Sequence, residues 1–231
     1  MMKPKRIPAA EIEDILSSLK VICYRAGNQI KVAIDEPTNT IYKRFPLQRG
    51  SWYRRLFNPA SRKFIRHAER VQALGFKSFN AKGWYRGDDA EHDLIVYPAL
   101  SGHSIYDLAK KGSVKEVLPL LAAYIAKLHE RCIYFKAGHC GNFLYSKEDG
   151  FSLIDTENMR FRMGWRRRAV AIEYLFAHTE KMNVRFLEEY THERFLKDYF
   201  AAANLSTLAE KYIRARLRRF FSADHARTTK E

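Results

Sequence analysis

Residues 128–161 read LHERCIYFKAGHCGNFLYSKEDGFSLIDTENMRF, and the reading of this stretch organises the rest of the chain. It opens on the end of a helix, because residues 114–131 carry Val117, Leu121, Tyr124, Ile125 and Leu128 at helical spacing. An irregular loop follows, then two short strand candidates, 143–145 and 151–154, separated by the turn formers of 147–150. Asn142 stands ahead of this hairpin and Asp155 closes it, thirteen positions later. An amide oxygen and a carboxylate are hard donors that suit Mg²⁺, and a hairpin fixes their separation.

Outward from there, the first half of the chain reads as mixed α and β. Residues 28–35 (NQIKVAID) and 40–45 (TIYKRF) alternate around the turn-rich EPTN, which predicts a hairpin with Lys43 on its second strand. Phe64, Ala68, Val71 and Leu74 give residues 61–74 a helical period, with Gly75 as its stop. Residues 84–85 and 93–97 read as two more strands, and from Arg167 helical patterns continue to Phe221. The expected class is therefore α+β, a small β-rich part followed by a mainly helical one. A strand lysine such as Lys43 is the residue type that neutralises nucleotide α- and β-phosphates.

Composition bounds the function classes. The chain has 231 residues with 41 Lys or Arg against 26 Asp or Glu, a formal charge of +15. A hydrophobic share of 46% excludes a disordered chain despite that charge. Cys23, Cys132 and Cys140 are too few and too scattered for a disulfide framework or a zinc site; they read as structural, with Cys140 reactive only if exposed. The N-terminal residues are basic without an apolar core, and the apolar run 118–126 is about half a membrane span and holds Pro119. A soluble cytoplasmic protein is expected. The charge attracts nucleic acid, anionic membrane or phosphorylated ligands without choosing among them. Arginines interleave with aromatics at 52–57, 160–168 and 212–221. In the last, Ile213, Leu217, Phe220 and Phe221 share one helical face, either docked on the core or set against anionic lipid.

The segments IYKRF, LHERCIYFKAGHCGNFLY and LIDTENMRF, in that order, resemble the protein-kinase-like superfamily, and more closely the bacterial lipopolysaccharide core sugar kinases. His139, Gly141 and Asn142 fall on the last part of an HGDLHPGN-type loop, and Asp155 on the Asp of DFG. Residues 42–64 also resemble the small lobe of that group, and the likeness covers about residues 25 to 180. It implies a bilobal protein-kinase-like fold: an N-terminal extension over 1–24, a β-rich N-lobe over 25–100, a helical C-lobe over 101–221 and a frayed tail over 222–231. It implies ATP and Mg²⁺ as cofactors, with Lys43, Asn142 and Asp155 holding the nucleotide and the last two the metal. Glu69 is the candidate helix glutamate for pairing with Lys43, a solvated glutamate being the alternative. The implied acceptor is a heptose or Kdo sugar of the lipopolysaccharide core, lipid-linked, reached at the inner face of an anionic membrane.

Departures from the pattern are as informative. The catalytic Asp of the family lies five positions before the Asn, and that position here is Ala137; its His is replaced by Phe135. No G-x-G-x-x-G precedes Lys43, since residues 25–31 read RAGNQIK, and Asp155-Thr156-Glu157 lacks the Phe and Gly of DFG. Alanine neither accepts a proton nor orients a hydroxyl. His139 is the nearby candidate base, its alternative being a loop histidine bonded to backbone. Three function classes follow: an ATP-dependent core sugar kinase, a pseudokinase serving as a binding module in envelope assembly, and a nucleic-acid binder. The last has charge in its favour but no zinc pattern, RNP-like motif or helix-turn-helix, and ranks third.

Overall fold

The computed structural model describes residues 2–25, 27–47, 59–181 and 190–228. The basic aromatic cluster at 52–57 and the side chain of Phe221 fall outside the described residues. Two compact units divide the chain, one formed by Met1–Leu100 with Leu153–Glu157, the other by Ser101–Ser152 with Asn158–Glu231.

The first unit contains strands β1 (Lys5–Ile7), β2 (Lys20–Arg25), β3 (Gln29–Asp35), β4 (Thr40–Pro46), β5 (Lys77–Ser78), β6 (Gly83–Gly87) and β7 (His92–Pro98), with helices α1 (Ala9–Ser17) and α2 (Ala60–Ala73). Six strands form one sheet in the order β1-β6-β7-β4-β3-β2, antiparallel except for the β1–β6 pair. Side chains alternate across it with period two. Leu94 and Val96 of β7 join Ile7, Ile12, Leu16 and Ala33 on one face. Ile95 and Tyr97 join Phe45, Phe64, Ala68 and Phe79 on the other. A helix covers each face, which is why β7 reads as a nearly continuous apolar run. Asp93, the polar residue at its start, is fully buried and bonded by Arg86 at 2.7 and 3.0 Å and by the Ser61 hydroxyl.

Residues 1–24 are not an extension, as the sequence led us to expect. β1 adds an edge to the sheet, with Ile7 opposite Gly87, and α1 buries Ile12 and Leu16 against it. The i, i+4 pair on α1 is sufficient to dock one short helix once a sheet face is available.

The second unit contains α3 (Ile105–Lys110), α4 (Val117–Glu130), α5 (Trp165–Lys181), α6 (His192–Ala202) and α7 (Thr207–Thr228), with short strands β8 (His103–Ser104), β9 (Ile133–Phe135), β10 (Phe143–Ser146), β11 (Gly150–Leu153, its last residue in the first unit) and β12 (Met159–Phe161). Helix α4 packs on α6 and α5 on α7. Buried at the α4 end, His129 Nδ1 meets the Tyr199 hydroxyl at 2.9 Å, and Arg168 donates to the same hydroxyl at 3.3 Å. Helix α4 stops at Cys132, an exposed residue with φ +59°, in the left-handed position that glycine usually takes. Helix α7 runs to Thr228, past the expected start of a frayed tail, and Ile213 and Leu217 on its inner face are fully buried. Those two belong to the core, so the first of the two readings of that helix face applies to them. Among the described residues no helix is long and apolar enough to cross a membrane. The chain is thus α+β, β-rich in its N-terminal region and helical in its C-terminal part.

Candidate functional site

Lys43 lies at the middle of β4, between Val32 of β3 and Ile95 of β7, on the face that carries Phe45. Its side chain is 7% exposed and its ammonium pairs with the Asp155 carboxylate. The ammonium also sits 4.5 Å from the Phe64 ring centre and 5.1 Å from that of Phe45, within reach of both π-faces. Asp155 follows β11 with φ +61°, a conformation that Asp tolerates better than most residues. The segment around it is stitched to the first unit. Ser78 donates to the Leu153 carbonyl at 2.9 Å, and Thr156 donates to the Phe64 carbonyl at 2.7 Å. His67 Nδ1 lies 2.9 Å from the Thr156 carbonyl, so that nitrogen carries the proton. Burial pushes the His67 pKa down, which keeps the ring neutral in this role.

Glu157 was missed by sequence reasoning. It stands two residues past Asp155, and its pKa is raised, first by burial and then by the Asp155 charge, while Lys43, Lys31 and Arg25 pull it the other way. Two carboxylates and three cations therefore share one region of the first unit. The signal was present as a glutamate in the DFG-like triplet, where the family pattern offers none.

Glu69 corrects an expectation. It is exposed on α2, and Lys43 pairs with Asp155 rather than with it. The buried stripe of α2 runs through Phe64, His67, Ala68 and Val71. Position 69 is about 100° further round the helix from Ala68 and points away. What α2 brings to the lysine is the Phe64 ring.

In the second unit the antiparallel pair β9–β12 sets Phe135 opposite Met159 and frames the loop 136–142. His139 caps a single 3-10 turn over Cys140–Asn142, its Nδ1 accepting from the Gly141 amide at 3.1 Å. Its Nε2 lies 3.1 Å from the Asn142 amide nitrogen, so both ring nitrogens face N–H groups of the same loop. His139 also lies 4.8 Å, centre to centre, from the His178 ring, which stacks on Tyr174. The Asn142 amide nitrogen donates to the Ala137 carbonyl at 2.9 Å, which turns its amide oxygen away from that carbonyl. Asn142 is 5% exposed.

The structure thus brings Lys43 together with Asp155, and His139 together with Asn142; Glu69 joins neither group. The carboxylates of Asp155 and Glu157 are hard oxygen donors beside an ammonium, a donor set that fits magnesium carried on phosphate.

No family profile and no curated protein matches the chain. Among solved structures it is similar to a divergent kinase lacking the glycine-rich loop that regulates membrane ultrastructure of the Toxoplasma parasitophorous vacuole, at 13% identity and TM-score 0.46 over 82% of each chain. It is also similar to the bifunctional kinase-methyltransferase WbdD, at 13% identity and TM-score 0.47 over 80% of this chain and 46% of that one. A complex of WbdD with the kinase inhibitor LY294002 gives 15% identity and TM-score 0.45 over 76% and 44%. The chain spans less than half the length of WbdD.

Proposed function

We propose that the chain is a kinase-like protein that binds a magnesium nucleotide and phosphorylates a sugar of the lipopolysaccharide core. The reading rests on the Lys43–Asp155 pair, a buried strand lysine set against a strand-end carboxylate 112 residues further on. Lys43 neutralises phosphate oxygens and Asp155 supplies a carboxylate to the metal. Glu157 stands near as a further carboxylate. Bound magnesium supplies charge neutralisation on the phosphates, where a loose transition state concentrates most of its need. The +15 charge suits an anionic, lipid-linked acceptor.

One observation favours the second reading, a nucleotide-binding pseudokinase in envelope assembly. With Ala137 in place of a base, His139 is the remaining candidate, yet its Nδ1 is held by the Gly141 amide and its Nε2 faces the Asn142 amide nitrogen at 3.1 Å. To take a proton from a sugar hydroxyl, His139 must first release one of these two N–H groups.

The test is calorimetric ATP titration with and without magnesium on the wild type and Asp155→Ala, then phosphate transfer to purified core oligosaccharide. Magnesium-dependent binding with transfer supports the kinase. Binding without transfer supports the binding module. Wild type that binds no nucleotide overturns both.

A further inference from the structure

Within the second unit, the start of α5 and the outer face of α7 combine exposed apolar side chains with cations that have no acidic partner among the described residues. Trp165, Leu208 and Tyr212 are 43%, 65% and 40% exposed. The Trp165 and Tyr212 rings lie 6.3 Å apart, centre to centre. Leu208, Tyr212, Ala215 and Arg219 follow i, i+4, i+7, i+11, one stripe of α7 opposite the buried Ile213 and Leu217. Tyr212 also separates two clefts. One, of about 540 Å³, is lined by Gly164, Trp165, Arg166 and Arg167, and the other, of about 550 Å³, includes Arg216, Arg219 and Phe220.

Two described acids of this region are already committed. Glu173 bonds Arg216 at 2.7 and 2.9 Å, and Glu210 bonds Arg214 at 2.7 and 2.8 Å. Arg166, Arg218, Arg219 and Lys211 are exposed and have no carboxylate within ion-pair distance among the described residues. The surface is therefore positive around an apolar centre. Trp and Tyr favour the boundary between water and hydrocarbon, and arginine favours anionic headgroups. An exposed leucine between them gains from acyl chains and gains nothing from a nucleic-acid backbone.

We propose that this face docks on an anionic lipid bilayer, with Trp165, Leu208 and Tyr212 entering the headgroup boundary and Arg166, Arg218 and Arg219 holding lipid phosphates. The docking face is the outer stripe of α7, not the Ile213–Leu217 side. It deepens the proposed function by bringing the chain to the surface that carries a lipid-linked acceptor, while resting on different residues.

The experiment is co-sedimentation of the full chain, without nucleotide, with vesicles of phosphatidylcholine alone and of equal parts phosphatidylcholine and phosphatidylglycerol. Binding is expected to the mixed vesicles and not to the neutral ones, falling as salt rises. The Arg166→Gln, Arg218→Gln, Arg219→Gln triple variant should lose about 5-fold in partitioning per arginine. Leu208→Ser with Trp165→Ser keeps the charge and should also weaken binding. All five positions are exposed, so unchanged thermal unfolding is expected and checks folding. Absence of sedimentation with mixed vesicles overturns the proposal. So does binding that the serine pair leaves intact while a DNA duplex competes fully, which would make the face a nucleic-acid surface. Because nucleotide is omitted, failure here leaves the nucleotide proposal standing, and failure of ATP binding leaves this one standing.

Discussion

The two halves of the candidate chemistry depart from the pattern they resemble in opposite ways. Around Lys43 and Asp155 the reactive side chains match the kinase-like pattern, while their supports differ: the ammonium rests on Phe64 and Phe45 rings in the absence of a helix glutamate. In the loop 135–142 the main-chain support is present, and Ala137 stands where the pattern has its Asp. Asn142 donates to the carbonyl of residue 137, a backbone atom, so the bond is indifferent to whether position 137 is Asp or Ala. A loop held by main-chain acceptors keeps those bonds whichever side chain stands at position 137.

The largest expected effect comes from placing an Asp at position 137. Ala137→Asp should leave the Asn142 bond in place and raise transfer to a core sugar by about 10²–10⁴-fold, the usual worth of general-base help. Measured at saturating magnesium ATP on one acceptor, wild-type transfer left unchanged by the substitution would assign the proton to another group, His139 first. Next in size is Asp155→Ala, which removes the counter-charge of a nearly buried ammonium. It should cost about 3 kcal/mol in urea unfolding and abolish magnesium-dependent ATP binding, with His139→Ala much milder on both counts. Equal behaviour of the two variants would dissolve the contrast between the pair and the loop.

A smaller effect is one of pH. Burial, aided by the Arg168 charge, pushes the His129 pKa down to about 3. The unfolded chain binds that proton near the ordinary value of about 6.5 and the folded chain does not until about 3, so folding stability falls as pH drops through this window. The slope is at most about 1.4 kcal/mol per pH unit. His67 in the first unit is shifted the same way by burial. Urea midpoints at pH 7 and pH 5 should fall less in His129→Gln than in the wild type, and identical falls would remove His129 from the account. Least of all, Glu69→Ala should change stability by less than about 0.5 kcal/mol, as exposed substitutions do, and leave nucleotide binding as it was. A marked loss would return Glu69 to the lysine.

Period and order made much of this legible in the chain. The alternation through 28–45 and 93–97 announced β3, β4 and β7, and the helical spacing before Arg131 announced α4. The order of Lys43, Asn142 and Asp155 along those elements was legible too. Helical phase was harder to use: Phe64, Ala68 and Val71 already defined the buried stripe of α2, which puts residue 67 on it and 69 off it. Residues 1–24 hid a strand and a helix because Lys3, Lys5 and Arg6 masked the spacing of Ile7, Ile12 and Leu16. Contacts between distant residues, such as His67 with Thr156 or His129 with Tyr199, leave no local pattern at all. They are made by packing, and only packing reveals them.

The stop of α4 bears on how the protein is handled at the bench. Of the three thiols, Cys23 is half-buried, Cys140 is buried and Cys132 is exposed. Cys132 also spends energy on a backbone shape that glycine adopts without strain. Cys132→Gly therefore offers a preparation with no exposed thiol to oxidise or cross-link during storage, at no cost in fold. Relief of the left-handed backbone, about 1–2 kcal/mol, outweighs the added freedom of an unfolded glycine, about 0.4–1 kcal/mol. A non-reducing gel after aeration and a melting curve, run side by side, would show both gains.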